Sequence, residues 1–563
     1  MFFKFAIILL FYQTPVYSKT TTLNDFNSHN LSNYFSGMVA RGNNKNYEAL
    51  KFFKLSKFLI KEHDSYLKNY TYTLVLEGKV HQASSEIKQN IMEDNSNFFE
   101  AHLILALDSL KKKNYKKSKE HLQTSYKFIN NDQFALIIAE ALKKYLYVFE
   151  KNEISDSKTK FGGLSLINEV FQRCYLDDEN TQSLFENLIN SKDNARNQDA
   201  NYSRYIFFYL NYLTEHNKHG EAKELVDSLN YLDSPLLVSQ GKKWIEDQKS
   251  EEFKKVFSCS NSNDVIAEFL FLVANLYSSQ NNYEKSNFYL NLSHYLNPKF
   301  KFNLTLLAEN YYFKKDYSKT SKTLESFNKK DDFFYWFKLK KEALIISKVK
   351  NKDESLEFIN LNFQKIQSPS IKIIFEIANF NKDAKKYKNA IKYYDQVLSK
   401  VDIDTKLYAE ILYRRGSSYE RLGDYVNADK DLLKSLEVNP DDVYVLNYLA
   451  YSWLEREYKI DLSLQMLETA YAERSNDPYI IDSIGWAYYL VDDYLKAETF
   501  LKRAVELMPE DPIVNDHYGD ILWKLNRKIQ ARYFWENVLN LKETNDKMKK
   551  NIKDKLFEGL INS

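Results

Sequence analysis

Small side chains recur in pairs twelve residues apart, and the pairs themselves recur every 34 or 35 residues along the chain. Gly37 and Ala49, Thr71 and Ala83, and Ala106 and Ser118 form a first run. Ala274 and Ser286, Ala308 and Thr320, Ala343 and Ser355, and Ala378 and Ala390 form a second. Gly416 and Ala428, Gly485 and Ala497, and Gly519 and Ala531 form a third. Two antiparallel helices approach closely only where each offers a small residue, while large residues one turn away fill the surrounding holes. Such a register predicts stacked helical hairpins and argues against a plain bundle with chance spacing.

Composition agrees. Among 563 residues there are 12 Gly and 8 Pro, too few for the turns of a sandwich or an α/β enzyme. Tyr and Phe, 43 and 38 of them, supply the apolar area. The length exceeds what one core holds. A formal net charge of +2 gives no global field for nucleic acid or anionic lipid. The lysine runs at Lys111–Lys113 and Lys547–Lys550 lie beside acids and amides and read as solvated helix faces. Mean hydropathy of −0.54 argues against a multi-span membrane protein.

The run Ile481, Ile484, Gly485, Tyr488, Ala497, Leu501, Ala504 and Pro509 resembles the tetratricopeptide repeat nearly position for position. The expected fold is therefore all-α, a right-handed superhelical solenoid of tetratricopeptide helix-turn-helix repeats; steps near 34 disfavour longer-repeat solenoids. Pro509 and Pro440 are expected to end second helices, and Asp477 and Asp511, each before a Pro, to cap first ones. The repeat carrying Ala450 and Ser463 is one residue longer, around Lys459.

The N-terminus reads differently. Lys4, the apolar Phe5–Tyr12 and the short residues Val16 and Ser18 suggest an export signal cut after Ser18. The expected divisions are a signal peptide at 1–18, N-terminal repeats at 19–129, divergent helical repeats or a helical insertion at 130–262, central repeats at 263–402, C-terminal repeats at 403–543 and a C-terminal helix at 544–563. Within 130–262 the register fades, although Ala222 keeps the phase, and Lys151–Gly163 reads as an inter-helix loop. Cys174 and Cys259 lie 85 apart without metal-ligand spacing. They are expected to be buried free thiols, with pairing left open.

Catalytic motifs are missing from the sequence: no G-x-x-x-x-G-K, G-x-G-x-x-G, H-E-x-x-H or G-x-S-x-G occurs. Gly162–Ser165 reads as a turn. His517, beside Asp516 and aligned with Ser483, reads as a hydrogen-bonding structural histidine. No catalytic residue, cofactor or metal is expected. The expected role is binding a protein or peptide, with no nucleic acid and no membrane span in the mature chain. Stacking puts the first helices on a concave side. The candidate binding residues there are Tyr413, Ser417, Asn447, Tyr451, Asp482, Trp486, Tyr489, Asp516, Asp520 and Trp523, a mixture of aromatics, amides and carboxylates typical of recognition surfaces. These positions lack the Lys and Arg of a carboxylate clamp, which disfavours a cytosolic co-chaperone role.

The stretches Asn447–Tyr451, Asp477–Trp486 and Asp516–Trp523, with Ala531, Arg532 and Trp535, resemble a family of bacterial exported tetratricopeptide proteins. Members include outer-membrane lipoproteins that act as adaptors for carboxyl-terminal processing proteases. The resemblance implies a periplasmic envelope adaptor that recruits such a protease or an assembly factor. No Cys follows the signal, so a lipid anchor is not expected. Two alternatives stand beside it: a superhelical peptidoglycan-processing enzyme such as a lytic transglycosylase, and a cytosolic assembly module.

Overall fold

A computed structural model describes residues 28–560, apart from 64, 91–96, 130–131, 156–161, 191–201, 230–231, 233 and 404. The expected signal at 1–18 lies outside these residues. The described residues are helical, with no strand among them. They divide into two compact units, one running to Tyr335 apart from Asn230–Asp233, the other beginning at Trp336.

The first unit opens with three hairpins: α1 (Ser28–Gly42) and α2 (Asn46–Leu55), α3 (Tyr66–Leu76) and α4 (Val80–Gln89), and α5 (Phe99–Lys111) and α6 (Tyr115–Ser125). Next come α7 (Gln133–Lys151), α8 (Gly163–Leu176), α9 (Thr181–Asn190), α10 (Tyr205–Glu215), α11 (His219–Ser228), α12 (Leu236–Glu246) and α13 (Glu251–Val256). Two more hairpins close it: α14 (Ser262–Ser279) with α15 (Tyr283–Leu296), and α16 (Leu304–Phe313) with α17 (Tyr317–Leu324).

In the second unit, α18 (Asp332–Val349), whose first turn is counted with the first unit, pairs with α19 (Lys352–Phe363). Then follow α20 (Ile371–Asp383) with α21 (Tyr387–Leu398), and α22 (Lys406–Arg421) with α23 (Tyr425–Val438). The array continues through α24 (Val443–Leu454) with α25 (Ile460–Glu473), α26 (Pro478–Leu490) with α27 (Tyr494–Leu507), and α28 (Pro512–Lys524) with α29 (Lys528–Asn540). The last helix is α30 (Asp546–Glu558).

The turn inside each of these hairpins except α18–α19 explains the period. Seven residues after the first small residue, the backbone enters the left-handed region: at Asn44, Gly78, Lys113, Asn281, Lys315, Lys385, Gly423, Glu457, Asp492 and Asn526. That residue reverses the chain. One position later, Asn114, Asn282, Asp316, Asp424 and Asp493 cap the second helix through their side chains. The longer repeat absorbs its extra residue with a second left-handed position, Lys459 beside Glu457. Asp477 and Asp511 each accept two backbone N–H groups at the starts of α26 and α28, with Pro next in line.

The small residues sit at the crossings. Ala49, Ala83, Ala390, Ala428, Ala497 and Ala531 have no exposed surface. A Cβ built on Gly485 would stand 2.8 Å from Leu501 Cγ and Cδ2. The middle of the first unit follows the same plan with different residues. Left-handed Asp177, Asn217 and Gln248 turn α8 into α9, α10 into α11, and α12 into α13. The matching crossing positions hold Val170, Leu210 and Gly241. Two large residues where others are small hide the period. Helix α7 ends at Lys151 and α8 starts at Gly163; of the expected loop between them, residues 156–161 lie outside the described residues.

Two features of the first unit depart from expectation. Cys174 and Cys259 are not free thiols: they form a disulfide with Cα atoms 5.5 Å apart, within ordinary bridging distance. It ties the end of α8 to the segment after α13. The second departure is closure. Nine of eleven residues of α3 and eleven of thirteen of α5 are buried. Helix α15 packs on both. Tyr72 stacks on Phe288 at 4.5 Å, Arg41 pairs with Glu284 at 2.7 Å, and Glu77 with Lys319 at 2.8 Å. Asp108, 1% exposed, accepts from Lys88, Lys112 and the Tyr295 hydroxyl. Burial alone would raise its carboxyl, but those three donors hold it well below the usual range. Hairpins α14–α17 thus cover the first-helix face of the opening repeats. No helix among the described residues is long and apolar enough to cross a membrane.

Candidate functional site

The second unit leaves part of its first-helix face open, and the candidate residues fall there on four consecutive first helices. Their positions are equivalent: three residues before and one after the small residue of each repeat, with Tyr489 and Trp523 a turn further on. Caps and left-handed turns fix the helix starts, so the side chains repeat in direction.

On α22, Tyr413 is half-buried with its ring edge-on to Tyr448 at 5.6 Å. Burial pushes its hydroxyl above the ordinary range. Ser417 is buried and donates to Arg414 O of its own helix at 2.9 Å, so its hydroxyl is spent locally. On α24, Asn447 and Tyr451 are half-buried. The Asn447 Oδ1 atom is enclosed and accepts no hydrogen bond. Burial, then the carboxylates of Glu455 and Asp482, keep Tyr451 protonated far above its usual range.

Helices α26 and α28 bring the rest together around one histidine. His517 Nδ1–H donates to both oxygens of Asp482 at 3.0 and 3.1 Å. Trp486 lies sandwiched, 4.1 Å from the His517 ring at 13° and 4.6 Å from Tyr489 at 8°. Burial opposes the imidazolium, but Asp482, backed by Asp516 and Asp520, outweighs it and raises the His517 pKa. His517 is thus a cross-link between consecutive repeats, paired with Asp482 rather than with its neighbour Asp516. The indole Nε1 of Trp486 is enclosed without a partner.

Asp516, Asp520 and Trp523 meet a residue absent from the expected set. Lys555 of α30 donates to Asp516 Oδ1 at 2.6 Å and to both Asp520 oxygens at 2.8 Å. Trp535 Nε1–H also donates to Asp520 at 2.9 Å. Burial and the charge of Asp516 lift Asp520 to about 6, against the pull of Lys555. Trp523 packs on Trp535 at 5.3 Å, and Gly559 lies directly on its ring. The only sequence hint of Lys555 was its place in an amphipathic last helix. Sequence reasoning also missed Tyr448, whose hydroxyl donates to Glu420 at 2.8 Å, and Lys382, whose ammonium lies 5.9 Å from the Tyr413 ring centre.

The open portion therefore runs over Tyr413, Asn447, Tyr451, Trp486 and Tyr489, with the acidic end covered by α30. Rings and amides suit contact with a polypeptide. No group of three or more His, Cys, Asp or Glu among the described residues is arranged to hold a metal ion.

Residues 409–442 match the model of the tetratricopeptide repeat family. The chain is 29% identical over 110 residues to the TPR repeat-containing protein PA4667 of Pseudomonas aeruginosa, an alignment covering 20% of this chain and 18% of that protein's length. Among solved structures, a tetratricopeptide repeat protein from Parabacteroides merdae is 18% identical, covers 45% of this chain and 97% of its own, and gives a TM-score of 0.36. MamA from Desulfovibrio magneticus is 22% identical, covers 31% and 97%, and gives 0.26. Similarities of that size say nothing about function. The chain carries a tetratricopeptide repeat at 409–442, set in a series of helical hairpins that share its register.

Proposed function

We propose that this chain is a non-catalytic scaffold that works outside the bacterial cytoplasm and holds a partner protein on the first-helix face of its second unit. The observation that carries the reading is the row of half-buried Tyr413, Asn447, Tyr451, Trp486 and Tyr489 on successive first helices. Tyr and Trp give large contact area at low entropic cost, and they dominate binding energy where they are buried by a partner. The disulfide supports an oxidising compartment, since such bonds persist outside the reducing cytosol. The short alignment with a TPR repeat-containing protein of Pseudomonas aeruginosa supports a bacterial repeat protein. Within this reading the partner is a carboxyl-terminal processing protease or an envelope-assembly factor.

Affinity capture from an envelope extract, followed by mass spectrometry, tests it. A discrete protein recovered by the wild type and lost with Tyr451→Ala plus Trp486→Ala is expected. Recovery of nothing specific would overturn the scaffold reading, and a chain found only in the cytosolic fraction would overturn the location.

A further inference from the structure

The first unit holds a half-open cavity of about 620 Å³, a size common among small-molecule sites. One face of α12, continued by Asp247, forms the inner wall, because Gln240, Lys243, Trp244 and Asp247 follow a helical spacing of three and four residues. Phe302 closes the floor, its ring centre 5.9 Å from that of Trp244, and both rings are buried. The remaining lining comes from α13, from Lys299 and Lys301 before α16, and from residues 328–332 between α17 and α18.

Its charges are unevenly matched. Asp247 pairs with Lys243 at 3.1 Å and with Lys249 at 3.3 Å, Asp332 with Lys243 at 3.6 Å, and Glu252 with Lys255 at 2.6 Å. Lys299, Lys301, Lys329 and Lys330 are exposed and pair with no carboxylate among the described residues. Asp331 is the one lining carboxyl outside these pairs; burial raises it, against the pull of Lys301 and Lys330. Four ammonium groups therefore stand against one partly shielded carboxyl. Like charges lining one cleft focus their field on an anion that enters it.

The lysine-bearing segments are held rather than loose. Buried Asn297 accepts from Lys299 N at 3.1 Å and Phe300 N at 3.2 Å, and donates to Val256 O at 2.9 Å. Asn328 accepts from Lys330 N at 2.9 Å. The depth of the cavity adds neutral donors. Gln240, 1% exposed, accepts from Phe333 N through Oε1 at 3.4 Å, which leaves its Nε2 on the cavity side with no partner among the described residues. Trp244 Nε1–H likewise donates to none of them. Buried donors are ordinarily paired, so these two point to an occupant that carries acceptor atoms.

We propose that this cavity binds a small, multiply charged organic anion, with its charged groups among Lys299, Lys301, Lys329 and Lys330 and a flat apolar part against Trp244 and Phe302. Carboxylates and phosphate esters share this chemistry. Charge-assisted bonds to the lysines hold the anion, and Gln240 and Trp244 meet its deeper acceptor atoms. An extended acidic peptide would reach the exposed lysines but leave the buried donors uncovered, so a compact ligand matches the cavity better. The site lies in the first unit and does not depend on the partner face of the second.

The test uses the full chain with its disulfide intact and two probes, trimellitate and naphthyl phosphate, read by calorimetry and tryptophan fluorescence at low ionic strength. Saturable binding of at least one probe to a single site is expected, with fluorescence quenching that disappears in Trp244→Phe. Which probe binds tighter separates a carboxylate from a phosphate ligand. Lys301→Gln with Lys330→Gln should weaken binding at least tenfold, while Lys547→Gln with Lys550→Gln should leave it unchanged; helix content and melting temperature establish that each variant is folded. Citrate, which has the charges without a ring, and benzoate, which has the ring with one charge, should each bind at least tenfold more weakly than the better probe. No saturable binding of either probe, quenching that survives Trp244→Phe, or equal weakening by both lysine pairs would overturn the proposal. So would citrate or benzoate as tight as the better probe, or hexaglutamate tighter than both probes.

Discussion

Replacing Gly485 by Ala sets two effects of known size against each other. In an open helix the change is favourable, because Gly is about 0.8–1.0 kcal/mol worse than Ala. At this crossing the new Cβ would stand 2.8 Å from Leu501 Cγ and Cδ2 and 3.1 Å from the Leu501 backbone N. Carbon pairs are most comfortable near 3.5–4.0 Å, so the shortfall is about 0.7 Å or more. Leu501 has no exposed surface and Ala497 lies a turn away, also fully buried. Rotating Leu501 relieves the side-chain overlap but not the backbone contact, so α26 and α27 must separate. Overpacking of this kind costs about 1–3 kcal/mol. Subtracting the propensity gain leaves a net loss of about 0–2 kcal/mol. Gly220, in the first turn of α11, is the control: its added Cβ meets nothing within 4 Å, so Gly220→Ala should stabilise by up to about 1 kcal/mol. Hydrogen exchange read by peptide mass gives the opening free energy of α26–α27 and of α10–α11 separately. Opposite signs for the two variants are expected. If Gly485→Ala stabilised its hairpin as Gly220→Ala does, the close-approach reasoning would be refuted.

Other consequences can be measured in the same way. Tyr488 is 7% exposed, stacks on Phe500 at 5.6 Å and donates to Glu468 at 2.8 Å, so Tyr488→Ala should cost about 3–5 kcal/mol in the denaturant unfolding of the second unit. Opening the Cys174–Cys259 bridge releases a loop of 85 residues, for which the chain-entropy relation gives about 4–5 kcal/mol. Cys174→Ser with Cys259→Ser should therefore lower the melting temperature of the first unit, and reductant should have the same effect on the wild type alone. Asp264 accepts from Ser258 N at 3.1 Å, and burial lifts its carboxyl to about 7. A raised carboxyl means the folded chain holds this proton more tightly than the unfolded one, so its contribution is lost as pH rises through about 7. That loss begins near the ordinary carboxyl range, so Asp264→Asn should raise the melting temperature most at pH 8, less at pH 5.5 and little near pH 4; an equal change at all three would contradict the assignment.

Much of the fold was legible because the crossings and turns are local. Gly485 with Ala497, and Asp493 beside left-handed Asp492, lie within one hairpin, so sequence spacing records them. The middle was obscured where Val170 and Leu210 stand at crossings that elsewhere take small residues. Closure of the first unit left no trace in the pattern, since Arg41 and Glu284 are 243 residues apart and nothing in a repeat specifies such pairs. The disulfide is of the same kind: two cysteines 85 apart show proximity only after α8–α13 have folded. At the candidate face, periodicity gave the positions of Tyr451 and Trp486. It gave no sign that Asp516 and Asp520 would be taken by Lys555, because periodicity marks where helices cross and not which charged side chains pair across them.

The central claim, that partners are held on the first-helix face of the second unit, is tested most directly by photo-crosslinking in the producing cell. A photoreactive residue replaces either Tyr451, on α24, or Leu495, which is 75% exposed near the start of second helix α27. A protein adduct of discrete mass from position 451, with none from 495, is expected. No adduct from 451, or equal adducts from both, would contradict the claim.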